Sequence, residues 1–363
     1  MKIMHLLKHA VSGNGHVHVA VDLACTQVDA GHEVAFVSAR GSYNDILRSH
    51  GVRVIDIPEA RDVKSAALSA VALLGVARRF RPDVMHAHMM SSAVLAYPVA
   101  KVLRASLVTT MHNSFEKHSA LMRLGAVVVA VSDAERQLLL GRGYPAAKVV
   151  TILNGANQSP REVLRADGPR LLRPCVVTLS GLHKRKAVGN VIEAFARLAP
   201  DFPDWHLNII GWGADREALE RQVAELSLGP AVHFLGSTSA PWPLLEQADI
   251  FATATVAEPG GLTVMEARAA GCAIVATAVG GIPETLAEGE AGQLVPVHDT
   301  DAMASALRGL MADPEALALW RSKARSGAEY FTVQRMTADY ESLYRLLCAR
   351  RRTRRPSVFG RTA

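Results

Sequence analysis

Residues 258–284 read EPGGLTVMEARAAGCAIVATAVGGIPE and carry the features that decide the fold. Glu258 and Glu266 stand eight residues apart around a Gly-Gly pair, and the helical run MEARAAG leads into the apolar strand pattern AIVAT. Glycines let a backbone approach a ligand closely, and free amides at a helix start favour phosphate. Carboxylates beside them suit the hydroxyls of a sugar or ribose. The same spacing also fits two glutamates that bind no ligand. The first would be exposed to solvent, and the second would lie at a helix start, where the helix dipole favours a negative charge.

The alternation of helix and strand in this segment extends along most of the chain. Apolar runs at residues 2–7, 33–38, 52–57, 84–88, 106–111 and 126–131 predict strands separated by helices. A second series is predicted at residues 175–179, 206–210, 232–235, 250–254, 273–277 and 293–295. Buried strands separated by helices indicate parallel sheets covered on both faces. The fold class is therefore α/β, with two Rossmann-like, doubly wound domains.

The two series are separated by residues 154–174, a polar, proline-containing stretch that is predicted to be a linker. Two similar halves place a ligand cleft between them, facing the carboxyl ends of both sets of strands. We predict an N-terminal domain over residues 1–160 and a C-terminal domain over residues 161–330. A helix at residues 331–349 and a basic tail at residues 350–363 complete the chain.

The net charge of +6 comes from the end of the chain. Six of the 40 basic residues lie from Arg350 onward, where there is no acidic residue, and the remaining basic residues balance the 34 acidic ones. Because the body is neutral and lacks interleaved aromatics, a nucleic-acid partner is disfavoured. The arginine tail is either a solubilising end or a contact with an anionic membrane surface, where each basic residue contributes about 1 kcal/mol.

Other bulk properties bear on the compartment. Four cysteines stand far apart with no CxxC pair, which favours a reduced compartment over a zinc site or a disulfide framework. The N-terminus does not have the pattern of a signal peptide, and no apolar stretch approaches the roughly 20 residues that span a bilayer. We therefore expect a cytoplasmic protein, soluble or peripheral on the inner face of the membrane.

Residues 258–284 resemble the glutamate–seven–glutamate segment of the GT4 family of retaining glycosyltransferases, which have the two-domain GT-B fold. The resemblance continues in order across nearly the whole chain. The first half contains GNG at 13–15, RPDVMHAH at 81–88, TTMHNS at 109–114, AVSDAE at 130–135 and ILNGAN at 152–157. The second half contains SGLHKRKAVGNVIEAF at 180–195, NIIGWGADRE at 208–217 and VHFLG at 232–236. Each block alone is weak, but their ordered occurrence is specific.

The resemblance implies roles for particular residues. Glu258 would contact the hydroxyls of the donor sugar, and Glu266 would hold the nucleotide ribose. Lys186 would bind the donor diphosphate, and His112 would lie near the reacting carbon and the acceptor. The implied catalytic residues are His112, Lys186 and Glu258. The implied donor-binding residues are Gly13, Gly15, Arg185, Lys186, Glu258, Gly260, Gly261, Leu262 and Glu266.

The sequence departs from the family pattern in two places. The family commonly has Gly-Arg where this chain has Ser-Gly at residues 180–181, so one diphosphate-binding arginine is missing. Lys184 or Arg185 is a candidate to replace it, unless the chain belongs to a variant subgroup. Pro-Gly at residues 259–260 replaces the common Gly-Phe, which leaves the choice of donor sugar open.

The implied chemistry is the cleavage of a nucleotide–sugar bond. Lys186 and backbone amides would stabilise the negative charge that develops on the diphosphate. Retention in the family is attributed to same-face attack in which the leaving phosphate takes the acceptor's proton. No metal or other cofactor is then required, and DFPD at residues 201–204 is predicted to be a loop.

We therefore expect a retaining, metal-independent hexosyltransferase that uses a nucleoside diphosphate sugar and a saccharide or lipid-linked acceptor. Bacterial surface polysaccharide synthesis is the setting that the resemblance implies. An epimerase of the same fold would turn over the donor without an acceptor, and a non-catalytic sugar-nucleotide-binding protein would bind without turnover.

Several further residues have predicted positions. His86 and His88 are expected on opposite faces of the sheet, one packing in the core and the other bordering the cleft. Residues 132–135 fit a capping box. The Asn-Gly pair at residues 154–155 is predicted to be a turn where the chain crosses between domains. Gly-Gly at residues 280–281 is either a plain turn or a border of the donor site.

Overall fold

The protein is described by a computed structural model that covers residues 1–39, 41–58, 63–115, 117–164 and 170–353. The last ten residues of the predicted basic tail, 354–363, lie outside the described residues. Two parallel sheets dominate the architecture, and helices cover both of their faces.

The first sheet has seven parallel strands in the order β3-β2-β1-β4-β5-β6-β7. The strands are β1 Lys2–Leu6, β2 Glu33–Ser38, β3 Arg53–Asp56, β4 Val84–Ala87, β5 Ser106–Met111, β6 Val127–Ala130 and β7 Val149–Thr151. All six strands predicted in this half are confirmed. The short edge strand β7 was not predicted, because three residues carry too little periodicity to separate a strand from a loop.

The second sheet has six parallel strands in the order β10-β9-β8-β11-β12-β13. The strands are β8 Cys175–Leu179, β9 His206–Ile210, β10 Val232–Gly236, β11 Ile250–Thr253, β12 Ala273–Thr277 and β13 Gln293–Val295. In both sheets the strand order reverses beside the first strand, which creates a crevice at the carboxyl ends of the strands. The predicted pair of Rossmann-like domains is confirmed.

Helices connect the strands in each half. The first half contains α1 Gly15–Asp29, α2 Asn44–Ser49, α3 Val63–Phe80, α4 Met90–Leu103 and α5 Asp133–Gly141. The second half contains α6 Val188–Ala196, α7 Arg216–Glu225, α8 Trp242–Leu245, α9 Leu262–Ala270, α10 Ile282–Thr285, α11 Thr300–Ala312 and α12 Pro314–Arg325. Among the described residues, no helix has the length and apolarity needed to cross a membrane.

The last helix, α13 (Val333–Thr353), packs against the first half of the molecule. Its buried Tyr340 and Tyr344 share a hydrophobic cluster with Val19 and Leu23 of α1. The hydroxyl of Thr337 also lies 2.6 Å from that of Thr26. Helix α13 therefore packs against the N-terminal domain.

The stretch predicted to be a linker lies between the last strand of the first sheet and the first strand of the second, and part of its described portion is buried. Asn157 forms a β-bridge with Thr332, and a 3₁₀ turn follows at Pro160–Leu164. Within this turn the Arg161 side chain is completely buried. Sequence pattern cannot reveal this burial, because an arginine is buried only when partners distant in the chain neutralise and bond it.

Candidate active site

Lys186 and Glu258 form an ion pair at the carboxyl edge of the second sheet. The Lys186 Nζ lies 2.5 Å from the Glu258 Oε2, and the side chains of Lys186 and Glu258 are 15% and 16% exposed. Burial acts to raise the pKa of Glu258, but Lys186 and Arg185 outweigh it and hold that pKa below its usual value. Lys186 and Glu258 thus form a charged and largely buried pair.

The start of helix α9 lies directly beside this pair. Gly261 has φ +62°, a conformation that favours glycine, and its amide donates to the Glu258 Oε1 at 3.2 Å. A Cβ atom on Gly260 would come within 2.9 Å of Val131 and 2.8 Å of Asn154, both in the first half of the molecule. The glycines therefore allow the loop before α9 to run tightly between the two domains.

The glycine loop of the first domain faces the same helix start. Gly13 is exposed with φ +85°, and a Cβ there would meet no atom within 4 Å. A Cβ on Gly15 would lie 3.3 Å from the Leu262 side chain. Gly15 and Leu262 therefore touch across the domain boundary, while Gly13 borders open space.

Hydrogen bonds join the two domains beside the cleft. The Ser132 hydroxyl donates to the carbonyl of Pro259 at 2.5 Å, and the Asp133 amide donates to the Glu284 carboxylate at 2.8 Å. Ser132 also caps α5 by accepting from the Glu135 amide, so the predicted capping box is confirmed in its first contact. The capping residue thus has a second role that its motif did not indicate.

Glu266 lies one to two turns into α9 and faces a buried arginine. Its side chain is 2% exposed, and its Oε1 lies 3.8 Å from the Arg161 Nη2. That separation is too long for a hydrogen bond, and the Oε1 has no hydrogen-bond partner in the described protein. Burial, opposed by Arg161 and aided by Asp22, raises the pKa of Glu266 to about 7.

Arg161 connects Glu266 to the first domain. Its Nε and Nη2 donate to the two carboxylate oxygens of Asp22 at 2.8 and 2.9 Å, and its guanidinium lies 4.9 Å from the Trp242 ring. The Ser159 hydroxyl donates to the same Asp22 carboxylate at 2.7 Å. A charge network therefore links α1, the interdomain turn and α9, and sequence reasoning missed both Asp22 and Arg161.

Replacing Arg161 with leucine is expected to destabilise the protein by about 3–5 kcal/mol, because Asp22 would be left buried and unpaired. The matched control is Arg197→Ala, since Arg197 pairs with Glu193 and Asp301 on the surface and should contribute less than about 1 kcal/mol. Thermal and urea unfolding measure both changes. Adding Asp22→Leu should recover part of the loss; equal effects of Arg161→Leu and the control would contradict a buried network.

His112 follows β5 and is half-buried. Its Nε2 lies 3.2 Å from the Nδ1 of His88, and its ring centroid is 6.2 Å from that of His16. Burial and the neighbouring His16 lower its pKa to about 3, so the imidazole is neutral at physiological pH. Among the described residues, no hydrogen bond or ion pair joins His112 to Lys186 or Glu258.

Arg185 and Lys184, the two candidates to replace the missing arginine, differ in their contacts. The Arg185 guanidinium is 5.1 Å from the ring of Phe115 in the first domain, and its Nη1 donates to the carbonyl of Ala257 at 2.9 Å. Lys184 is exposed. Of the two candidates for the missing arginine, Arg185 is the one that contacts the loop leading to Glu258.

The expectation that His86 and His88 point to opposite faces is wrong. Both are buried, and their ring centroids lie 4.0 Å apart, because side chains two residues apart along a strand share a face. Asn154 is buried as well, and a Cβ on Gly155 would clash with the Thr332 backbone at 2.4 Å. The Asn-Gly pair thus lies where α13 approaches the chain crossing.

The glycines at 280 and 281 pack against the loop that carries Glu258. Gly280 has φ +56°, and a Cβ there would lie 1.8 Å from the Glu258 carbonyl oxygen. The Gly281 amide donates to this same oxygen at 2.9 Å. The turn therefore packs against the backbone of Glu258, and its part in a donor site stays a prediction.

Two Rossmann-like domains, with parallel sheets of seven and six strands, have the architecture of the GT-B class of glycosyltransferases. The model of the glycosyl transferases group 1 matches residues 162–327, and that of glycosyltransferase family 4 matches residues 13–159. Together the two models cover most of the chain. The protein belongs to the GT4-type glycosyltransferases.

Similar proteins cover nearly the same length. The chain is 26% identical to an N-acetyl-alpha-D-glucosaminyl L-malate synthase of Bacillus anthracis, over 92% of this chain and 94% of that protein. It is 27% identical to a phosphatidyl-myo-inositol mannosyltransferase of Mycolicibacterium smegmatis, over 92% of this chain and 90% of that protein. Anabaena HepE, crystallised with UDP and glucose, superposes with a TM-score of 0.80 at 21% identity, over 94% of this chain and 99% of that one. This structural likeness confirms the GT-B fold.

Proposed function

We propose that the protein transfers a hexosyl group from a nucleoside diphosphate sugar to a saccharide or lipid-linked acceptor, with retention of configuration and without a metal. The observation that supports this proposal most directly is the Lys186–Glu258 pair at the start of α9. It offers a cation for a diphosphate and a carboxylate for sugar hydroxyls within one hydrogen-bond length of each other. HepE, which shares the fold, binds UDP and glucose, and this supports the choice of donor class.

Donor binding would divide the ion pair between two parts of the ligand. The diphosphate would take Lys186, with Arg185 beside it and the amides at the start of α9 as further donors. The sugar hydroxyls would replace Lys186 and the Gly261 amide on Glu258. Gly13 borders open space, so its loop could approach the donor from the first domain.

The ribose would bind at Glu266. The Oε1 of Glu266 is buried without a hydrogen-bond partner in the described protein, which is costly unless a ligand supplies a donor. Ribose hydroxyls are such donors. In this arrangement the ribose lies at Glu266 and the sugar at Glu258. The donor would therefore run along the segment from residue 266 back to residue 258.

The reaction would break the bond between the sugar C1 and the diphosphate oxygen and form a bond from C1 to the acceptor oxygen. The acceptor's proton would pass to the leaving phosphate. Negative charge grows on the diphosphate as this bond breaks, and Lys186 and Arg185 would stabilise it. Because Glu258 and Glu266 would be occupied by hydroxyls, neither carboxylate would act as a nucleophile.

The affinity for a sugar nucleotide is expected to rise about tenfold between pH 6 and pH 8. Ribose hydroxyls bind an ionised carboxylate more strongly than a protonated one, and the pKa of Glu266 is raised to about 7. In the free protein the sign is opposite: ionising this buried group costs stability as the pH rises from its unfolded value through about 7. Calorimetric titration with UDP-glucose and GDP-mannose measures the affinity.

Glu266→Gln is the control for this pH dependence, because glutamine does not titrate. Its affinity should be weaker at pH 8 and flat between pH 6 and pH 8. Using sugar nucleotides avoids the terminal phosphate of a free diphosphate, which titrates in the same range. A wild-type slope that persists in Glu266→Gln would exclude Glu266 as its source.

A panel of nucleoside diphosphate sugars, screened by thermal shift, tests the donor class. A specific donor at 100 times its Kd would add about 2.7 kcal/mol of stability, and Lys186→Ala should abolish the shift. Incubation of that donor alone then separates the rivals. An epimerised product without acceptor would support an epimerase, while binding with no turnover in any acceptor mixture would support a non-catalytic binding protein.

The first domain carries a surface suited to a lipid-linked acceptor. Helices α3 and α4 contain no acidic residue, and both expose large apolar side chains together with lysine or arginine. The exposed apolar residues are Leu68, Val71, Val94, Tyr97 and Val102. Between these helices and the carboxyl ends of β1–β3 lies an apolar recess lined in part by Leu7, Ile57, Leu73 and Leu95. This surface fits a peripheral contact with an anionic bilayer.

Helix α13 ends next to this surface. The Arg351 guanidinium donates to the carbonyl of Arg104, directly after α4. The arginines that follow are therefore expected to act with α3 and α4, each adding about 1 kcal/mol of membrane affinity. A cytoplasmic location on the inner membrane face is part of this proposal.

Vesicle sedimentation tests the surface. The protein is expected to bind phosphatidylglycerol vesicles and not pure phosphatidylcholine ones, and Leu68→Glu with Val71→Glu should lower binding at least tenfold through lost burial and added charge. Leu319→Glu is the matched control, because Leu319 is similarly exposed on α12, at 55% against 66% for Leu68. Removing residues 354–363 should weaken binding while leaving activity on soluble substrates intact. Equal binding by both glutamate variants would contradict this surface.

A further inference from the structure

Four side chains inside the first domain form a continuous chain of hydrogen bonds that ends at His112. The Gln27 Oε1 lies 2.8 Å from the His5 Nε2, and the His5 Nδ1 lies 3.0 Å from the His88 Nε2. The His88 Nδ1 then lies 3.2 Å from the His112 Nε2. The residues come from α1, β1 and the ends of β4 and β5, and the first three are buried.

The imidazoles of this chain are neutral at physiological pH. Burial lowers the pKa of His5 to about 4 and, together with His16, that of His112 to about 3. Burial and the neighbouring histidines also place the pKa of His88 well below its usual value. A neutral imidazole has one N–H donor and one acceptor nitrogen. The proton positions are therefore linked: fixing one ring fixes the next.

The Gln27 amide sets the direction of the chain. Its carbonyl oxygen accepts from the His5 Nε2–H, which leaves the His5 Nδ1 as an acceptor. The His88 Nε2–H must then donate to His5, and the His112 Nε2–H must donate to His88. In this arrangement the His112 Nδ1 carries no proton. It makes no hydrogen bond to any residue in the described part of the chain.

A second group of hydrogen-bonded side chains lies beside this chain. Burial raises the pKa of Tyr344, whose hydroxyl lies within this group. The Tyr344 hydroxyl also lies 2.7 Å from the His86 Nδ1, and the His86 Nε2 lies 2.7 Å from the Thr110 hydroxyl. The Gln27 Nε2 is buried and makes no hydrogen bond within the described residues, so the orientation of the amide is given by the 2.8 Å contact of its Oε1 with the His5 Nε2.

We propose that Gln27 is a positioning residue that, through His5 and His88, holds His112 as its Nε2-protonated tautomer. His112 then offers a bare Nδ1 to the cleft, an acceptor suited to a hydroxyl of the sugar or the acceptor. The consequence for turnover rests on the proposed glycosyl transfer, whereas the tautomer is a property of the ligand-free protein. The two can therefore fail separately.

A metal ion is the competing use of these histidines. One ligand nitrogen from each of His5, His86 and His88 lies within 4.8 Å of the others. Every ring nitrogen of these three residues already has a hydrogen-bond partner, however. A metal would have to break several buried hydrogen bonds. The geometry therefore favours a role for these histidines in fixing proton positions over a role as metal ligands.

Nitrogen-15 NMR of histidine-labelled, ligand-free protein tests the proposal, with His112 assigned by the loss of its signals in His112→Asn. The expected result is a protonated Nε2 and an unprotonated Nδ1 at pH 7.5. Gln27→Leu should mix the tautomers, and Gln27→Glu, which keeps an acceptor oxygen, should retain the wild-type state. Thr110→Val is the control, because it removes a buried hydroxyl from His86 without touching the chain to His112.

Kinetics supply the second readout. Gln27→Leu is expected to lower kcat roughly 10- to 100-fold with the donor Kd changed less than twofold, as expected for a misplaced catalytic group. Protonated Nδ1 in the wild type, an unchanged tautomer in Gln27→Leu, or stoichiometric zinc that abolishes the Nε2–H signals would overturn the proposal. The wild-type spectrum decides it even if Gln27→Leu does not fold.

Discussion

Replacing Lys186 with alanine is expected to lower kcat/KM by roughly 100- to 1000-fold, the cost of losing one charge-stabilising donor at a developing anion. Lys186 is the cation paired with Glu258 at the start of α9. Its loss would remove charge from the leaving diphosphate and leave Glu258 without its partner. Donor affinity should fall as well, because the ground-state diphosphate carries much of the same charge.

Lys184→Ala is the matched control. Lys184 belongs to the same 3₁₀ turn, Lys184–Lys186, but it is exposed to solvent. Steady-state kinetics and calorimetry on both variants separate a local effect from a general loss of positive charge. A Lys186→Ala protein with kcat/KM within threefold of the wild type would remove this lysine from the mechanism.

Replacing Glu258 with glutamine is expected to lower kcat about 100-fold while leaving the affinity for a free nucleoside diphosphate unchanged or several-fold tighter. The carboxylate would hold the sugar hydroxyls in reacting position, and misplacing a bound group costs about two orders of magnitude. The diphosphate, in contrast, competes with Glu258 for Lys186. Removing the competing charge therefore favours the nucleotide while it harms the transfer.

The opposite signs of these two effects make the Glu258→Gln prediction selective. A variant that was merely misfolded would lose turnover and nucleotide affinity together. Glu193→Gln, a surface carboxylate paired with Arg197 in the same domain, should change neither quantity. Loss of nucleotide affinity in Glu258→Gln would show that Glu258 supports the diphosphate site and does not compete with it.

Much of the fold could be predicted from sequence because buried parallel strands are continuous apolar runs. The runs at 33–38 and 273–277 match β2 and β12 without change of boundary. The edge strand β7 and the turn at Pro160–Leu164 could not be predicted, since neither has a clear period. Propensity describes neighbours in the chain, whereas these pieces are held by tertiary contacts.

The candidate site likewise contains residues that the sequence predicted and residues that it did not. Lys186, Glu258 and the glycines at 260 and 261 belong to motifs that the resemblance identified, and the structure brings them together. Asp22 and Arg161 belong to no motif, because their bond joins residues 139 positions apart. The histidine chain likewise draws on separate segments, so only the folded sheet reveals that the four side chains meet.

The central claim is retaining sugar transfer from a nucleoside diphosphate donor, and proton NMR of the complete reaction tests it most directly. The protein would be mixed with the donor that the thermal screen identifies and with saccharide or lipid-linked acceptors. The donor's anomeric signal is expected to be replaced by a product signal of the same configuration, one equivalent per nucleoside diphosphate released. A product of inverted configuration, or an epimerised sugar formed without acceptor, would contradict it.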